Sequence, residues 1–209
     1  MNDTNTFDER AFEWDKHPLI VELSGIFSDE IKKNIPLSSD MDLLEFGCGT
    51  GQVSMNLYPS ARSFKLIDTS PGMLGVLRQK IKQNNISNMA LFCEDIFNLK
   101  FEKNQIDFVY SLMAFHHVRD IEQLLKTFHN LLKPGSYLCI GDLEPEDGSF
   151  HGDDFEEVHH GFDTAELKNT FEENGFELTK VYRMHIVKKP DKAGRIGEYP
   201  IFFMAAKNN

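Results

Sequence analysis

The segment 43–52, LLEFGCGTGQ, sets the tightest limit on what this chain can fold into. An apolar run ends in three glycines at alternate positions, Gly47, Gly49 and Gly51. Glycine is required where the backbone takes a positive φ, or where another group must touch the main chain. A short strand that enters such a turn and leaves it as a helix is the opening unit of a doubly wound α/β sheet. The helix start supplies unpaired N–H groups and a partial positive charge, so an anion, phosphate or carboxylate, is favoured there.

The rest of the chain repeats the unit. Residues 1–40 read as a helical segment with breaks, Pro18 sitting in the first turn of a helix to about Asn34. Apolar strand candidates follow at 41–46, 63–68, 89–95, 106–114 and 136–144. Between them lie helical stretches at 51–58, 69–85 and 121–133, the second opened by Ser70 as N-cap and Pro71 at the first helical position. A helix at 164–175, closed by Gly175, precedes two final strand candidates at 176–187 and 198–206. Those two have only a turn-rich connection between them, so they are expected to pair antiparallel. The reading divides the chain into a helical cover, 1–40, and one domain, 41–209.

Composition narrows the partners. The chain has 209 residues with 41% hydrophobic and 18 phenylalanines, enough for one well-packed core. Its formal net charge of -11 repels phosphate backbones, so no nucleic-acid partner is expected. No apolar run is long enough to span a bilayer, and the polar N-terminus is unlike a secretory signal. Cys48, Cys93 and Cys139 form no metal-type pair and no disulfide framework, which fits a cytoplasmic protein. Cys48 reads as a small residue in a tight turn.

Spacing separates the nucleotide classes. The dinucleotide fingerprint is G-x-G-x-x-G. This chain has G-x-G-x-G with Glu45 two residues before it. Asp68 ends the second strand, where a carboxylate can accept both hydroxyls of a ribose, and Asp95 closes the third, where it can meet the edge of a base. An acidic pocket suits a cationic ligand and repels a polyphosphate.

The set LLEFGCGTG, LIDTSPGML, CEDIF and DFVYSLMAFHHV resembles the successive motifs of class I S-adenosylmethionine-dependent methyltransferases, over residues 41–145. It is similar especially to the small single-domain type that acts on small molecules, as in quinone biosynthesis. FDERAFEWD resembles the opening segment that folds over the cofactor in such proteins. The resemblance implies a Rossmann-like seven-stranded sheet of order 3-2-1-4-5-7-6 with strand 7 antiparallel. It implies S-adenosylmethionine as cofactor and a small-molecule methyl acceptor, with the chain a monomer or homodimer and no membrane partner.

Carried over by position, Gly47, Gly49 and Gly51, with Glu45 and Cys48, would line the methionine moiety. Asp68 and Thr69 would hold the ribose, Met73 and Ile96 would flank the adenine, and Asp95 would accept from its amino group. Ser111 and Leu112 would sit beside the sulfonium, and Trp14 and Phe12 would help close the pocket. Histidine titrates near neutral pH, so His116 is preferred over His117 as a base at the pocket rim, with His159 and His160 as further candidates on the acceptor side. The cluster His151, Asp153, Asp154, Glu156, Glu157, His159 and His160 matches no standard metal spacing, so no metal is expected; an acidic lid selecting a cationic or polar acceptor is the sharper reading. Three other functions share parts of this pattern. A nicotinamide-dependent oxidoreductase is disfavoured by the glycine spacing, and aminopropyl transfer by the lack of acids after strand four. A non-catalytic module that binds S-adenosylmethionine uses the same loop.

Overall fold

The computed structural model describes residues 3–151, 159–190 and 194–209. Two helices, α1 (Asp3–Trp14) and α2 (Pro18–Asn34), precede β1 (Asp42–Phe46). The alternation then runs α3 (Gln52–Leu57), β2 (Ser63–Asp68), α4 (Pro71–Gln83), β3 (Met89–Cys93), β4 (Ile106–Leu112), α5 (Ile121–Leu131) and β5 (Leu132–Leu143). It closes with α6 (Thr164–Glu173), β6 (Phe176–Pro190) and β7 (Ile196–Asn208). The strands form one sheet in the order β3-β2-β1-β4-β5-β7-β6. Neighbours are parallel from β3 to β5, and β7 runs antiparallel to both β5 and β6. The expected order and the antiparallel last strand are both present.

Each central strand is buried on both faces, so its residues alternate between two cores. On one face Leu43, Phe64, Phe108 and Tyr110 pack with Phe27 and Ile31 of α2 and Leu74 and Leu77 of α4. On the other, Leu44, Val109, Ile140 and Phe202 pack with Leu124, Leu125 and Phe128 of α5 and with Phe171 of α6. Full burial of one such side chain stabilises the fold by roughly 1.5–3 kcal/mol.

Helix starts follow their caps. The Ser70 hydroxyl accepts from the Met73 N–H at 3.1 Å with Pro71 in the first turn, as its sequence implies. Asp120 and Asp163 do the same for α5 and α6. One boundary differs. Helix α5 ends at Leu131, and β5 begins at Leu132, ahead of the Pro134-Gly135 pair expected to separate them. Leu132 pairs with Ile106 before an irregularity in the ladder, and Gly135 turns there at φ +78°.

Candidate functional site

The three glycines of the first crossover all lie at positive φ, +66° at Gly47, +51° at Gly49 and +75° at Gly51. Their reasons differ. A Cβ on Gly47 would come within 2.3 Å of the Ala114 Cβ, and one on Gly51 within 2.5 Å of Leu77 Cδ1. These two are glycine because the protein's own atoms leave no room. At Gly49 the first neighbour is Trp14 Nε1, 3.9 Å away. The space over Gly49 is open to a ligand.

The turn's amides correct one expectation. The Cys48 N–H donates to the Ile67 carbonyl at 3.0 Å, Gly49 to Asp68 Oδ2 at 2.7 Å, and Gly51 to the Cys48 carbonyl at 2.7 Å. Those three donors are engaged within the protein and are not an anion cradle. The turn instead offers bare main chain to a molecule lying across it.

Such a molecule has room. A cavity of about 600 Å³ opens at the carboxyl ends of β1, β2, β3 and β4, where the strand order reverses. Its size is that of a small-ligand site. Glu45, Asp68, Glu94, Asp95 and Asp120 bring carboxyls to its wall, and Arg119 brings a guanidinium. Ile20, Leu23, Phe7, Leu112 and Met113 make an apolar part. Met113 follows β4 at φ +54°, a conformation costly for a side chain with a Cβ and found disproportionately at functional sites.

Helix α1 covers the cavity. Trp14 and Phe7 line it and meet edge to face at 5.7 Å between ring centroids. Phe12, expected beside Trp14, is 72% exposed and points away, because it lies on the opposite side of the same helix. Asp15, just past the helix end, accepts from the Thr50 hydroxyl at 2.5 Å and pairs with Lys80, whose ammonium also reaches the Thr50 carbonyl at 2.8 Å. Asp8 accepts from the Ser70 hydroxyl and the Gly72 N–H at the start of α4.

Among the acids, Asp68 holds the turn and the next helix together, since its two oxygens accept from Gly49 and Ser70. Burial raises its pKa against those hydrogen bonds. Burial also pushes the Glu45 carboxyl up to about 8, although the Ser54 hydroxyl donates to it. Asp95 is exposed, and its side chain accepts from Phe97 N–H at 3.0 Å, which opens a 3₁₀ turn over Ile96–Asn98. The Cys48 thiol is held protonated by burial, consistent with a filler in a tight turn.

The histidines fall differently from expectation. Residues Phe115–His117 form a 3₁₀ turn, which sends neighbouring side chains in different directions. His117 lines the cavity and His116 does not. His116 is 0% exposed, with Nδ1 2.6 Å from Asp142 Oδ1 and Nε2 2.8 Å from His151 Nε2. Burial, helped by the neighbouring His116, lowers the pKa of both His117 and His151 to about 3. His159 and His160 are also off the cavity wall. The His159 Nε2–H donates to the Val118 carbonyl at 2.9 Å, while the His160 ring stands against Gly148.

A methyltransferase-domain family matches residues 44–140, which include the glycine turn, Asp68, Asp95 and strand β4. An uncharacterised methyltransferase of Schizosaccharomyces pombe is 30% identical over 148 residues, 64% of this chain and 52% of that protein. A malonyl-[acyl-carrier protein] O-methyltransferase of Bacillus anthracis is 32% identical over 137 residues, 63% of this chain and 46% of that protein. The chain therefore spans about half the length of these curated relatives. A solved S-adenosylmethionine-dependent methyltransferase from Aquifex aeolicus shares the fold, with TM-score 0.69 and 17% identity, covering 99% of this chain and 98% of that one. Residues 44–140 thus match a methyltransferase domain, and the chain as a whole shares the fold of solved S-adenosylmethionine-dependent methyltransferases.

The cavity fits S-adenosylmethionine on three counts: its volume, the open space over Gly49, and acids at two successive strand ends. Of the residues singled out from the sequence, Trp14, Glu45, Gly47, Cys48, Gly49, Asp68, Thr69, Met73, Asp95, Ile96 and Leu112 line it. Gly51, Ser111, His116, His159 and His160 do not. Gly51 is turned toward Leu77, and the Ser111 hydroxyl donates to the Phe46 carbonyl at 2.9 Å, tying β4 to the end of β1. Phe7, Gln52, Met113, Arg119 and Asp120 line the cavity and were not anticipated. Phe7, Gln52 and Met113 lie inside the stretches FDERAFEWD, LLEFGCGTGQ and DFVYSLMAFHHV without having been singled out there; Arg119 and Asp120 lie just beyond the last of these, separated from the histidine pair by Val118. Among the described residues no helix is long and apolar enough to cross a membrane.

Proposed function

We propose that this chain moves a methyl group from S-adenosylmethionine to a small molecule within the cavity at the first crossover. The observation that carries the reading is the open main chain over Gly49 beneath Trp14, flanked by carboxyls at the ends of β2 and β3. Bound there, S-adenosylmethionine supplies an electrophilic methyl on a sulfonium.

The chain's own part is alignment and exclusion of water, worth up to about 7–11 kcal/mol for well-placed reactants. Gly47 and Gly49 allow close approach to the main chain. Asp68 keeps a lone pair on each oxygen beyond those given to Gly49 and Ser70, and these accept the ribose hydroxyls. Thr69 lies beside that ribose. Met73 and Ile96 flank the base, and Asp95 accepts at its edge. Trp14 and Phe7 close the top. Besides the protonated Glu45, four lining carboxyls (Asp68, Glu94, Asp95 and Asp120) against one guanidinium favour a cationic cofactor over a polyphosphate. The acceptor lies toward the apolar end formed by Ile20, Leu23 and Met113, next to His117. His117 lines that end, and burial keeps its ring neutral.

Thermal unfolding with S-adenosylhomocysteine, NAD or buffer tests the reading. At about 100 times its dissociation constant a ligand stabilises by roughly 2.7 kcal/mol. Stabilisation by S-adenosylhomocysteine and none by NAD is expected; the reverse overturns the assignment. A metabolite extract incubated with labelled cofactor then identifies the acceptor by product mass.

A further inference from the structure

Beside the cofactor cavity, three imidazoles from two distant segments converge. His116 and His117 come from the turn after β4, and His151 from the segment after β5. One ring nitrogen from each lies within 4.8 Å of the others. The ring centroids of His116 are 4.2 Å from His117 and 4.8 Å from His151, and those of His117 and His151 are 5.2 Å apart. Such packing of three like groups around a common point has no apolar rationale. Leucine or phenylalanine would fill the space without needing polar partners.

We propose that His116, His117 and His151 form a binding site for a divalent transition-metal ion of the zinc class. Imidazole is the preferred ligand of such ions, and three histidines leave a fourth position for an outside ligand. Zinc–nitrogen bonds of about 2.0–2.1 Å put ligand atoms roughly 3.4 Å apart, so the trio closes around an ion with shifts of about an ångström or less.

The support for the site is already built. His116 presents Nδ1 to Asp142 Oδ1 at 2.6 Å, and its backbone N–H lies 3.3 Å from Asp142 Oδ2. A ring N–H donated to a carboxylate fixes the tautomer and leaves Nε2 as the metal-facing atom. That Nε2 is the atom 2.8 Å from His151 Nε2. The His116 carbonyl also accepts the His159 N–H at 2.8 Å. Asp142 is 1% exposed, so its charge lies in a setting where a nearby cation is favoured. His117 belongs both to this trio and to the cavity wall, so an ion here lies where an oxygen, nitrogen or sulfur of an acceptor could reach it. Metal binding itself does not depend on the methyl-transfer reading.

The test uses the purified full chain, stripped with a chelator, loaded with zinc and passed through gel filtration. Elemental analysis is expected to find one ion per chain. His151→Ala and His117→Ala should each remove it, and Asp142→Asn should weaken zinc affinity about 10–100-fold. Cobalt substituted for zinc should give the intense visible absorption of a tetrahedral site. His151→Ala changes a half-buried residue, so it remains informative if the His117 variant fails to fold by circular dichroism. Zinc-free wild-type protein after loading overturns the proposal. So does zinc retained in the folded His151→Ala variant, which places the ion elsewhere. The thermal shift with S-adenosylhomocysteine, read on the same samples, reports the cofactor site separately.

Discussion

Asp8 accepts the backbone N–H of Gly72 at 2.7 Å, across 64 positions of sequence. A residue of α1 thus caps α4, the helix that follows the ribose-side acid. Asp15 fixes the other end of α1 through Thr50 and Lys80. The cover over the cavity is therefore held at two points by carboxylates. Losing a cap of this kind costs about 1 kcal/mol. Combining Asp8→Ala with Asp15→Ala is expected to speed amide exchange throughout α1 and to weaken S-adenosylhomocysteine binding severalfold, while exchange in β1 and β4 stays slow. Unaltered exchange in α1 would show that packing of Phe7 and Trp14 alone holds the cover.

The glycines of the turn separate stability from binding. Gly51→Ala puts a Cβ against Leu77 at positive φ, and is expected to destabilise the fold by about 2 kcal/mol or more. Gly49→Ala meets nothing closer than Trp14 at 3.9 Å, and pays mainly the left-handed backbone cost of about 1–2 kcal/mol. Its methyl fills the space assigned to the cofactor, so S-adenosylhomocysteine affinity should fall more than about tenfold. Denaturant unfolding and calorimetry on both variants check this. A Gly49→Ala protein that binds as well as wild type removes the ligand from that space.

Much of the fold was readable because each element carries its own local signal. The apolar pairs Leu43-Leu44 and Phe108-Val109 feed both faces of a buried sheet, and Ser70-Pro71 announces a helix start. The acids at strand ends were readable too, since strand ends of a parallel sheet face the site by construction. Side-chain direction was not. His116 and His117 are adjacent, and only the 3₁₀ turn decides that one faces the cavity and the other faces Asp142. Asp142 itself was legible in retrospect as an acid inside the apolar run SYLCIGDLE. His151 lies 34 positions beyond His117, so no spacing rule could join them. The proposed lid of residues Asp153, Asp154, Glu156 and Glu157 falls outside the described residues.

Asp68 is both strut and ligand contact. Removing its carboxylate leaves the Gly49 and Ser70 N–H groups without their partner, which costs about 1–3 kcal/mol when such groups are buried. Asp68→Ala is expected to lower stability by that order and to weaken S-adenosylhomocysteine binding by more than about tenfold. Calorimetry giving unchanged affinity would take Asp68 out of the site whatever happens to stability.

Glu45 makes stability depend on pH in a direction opposite to most carboxylates. Burial beneath the turn raises its pKa from 4.5 to about 8, with the nearby Asp68 adding to the effect and Ser54 opposing it. In the folded chain it holds its proton at neutral pH; in the unfolded chain it has lost it. The unfolded state binds fewer protons between these values, so stability falls as pH rises. The contribution is complete below about pH 4.5 and is lost as pH climbs through about 8. Each pKa unit corresponds to roughly 1.4 kcal/mol, so the loss is on the order of a few kcal/mol. Glu45→Gln keeps a neutral acceptor for Ser54 and cannot ionise. Urea unfolding from pH 5 to 9 is expected to show wild type losing stability more steeply than Glu45→Gln, the two curves separating most above pH 7. Parallel curves would mean that Glu45 is already ionised in the folded protein at neutral pH, held by a partner stronger than Ser54.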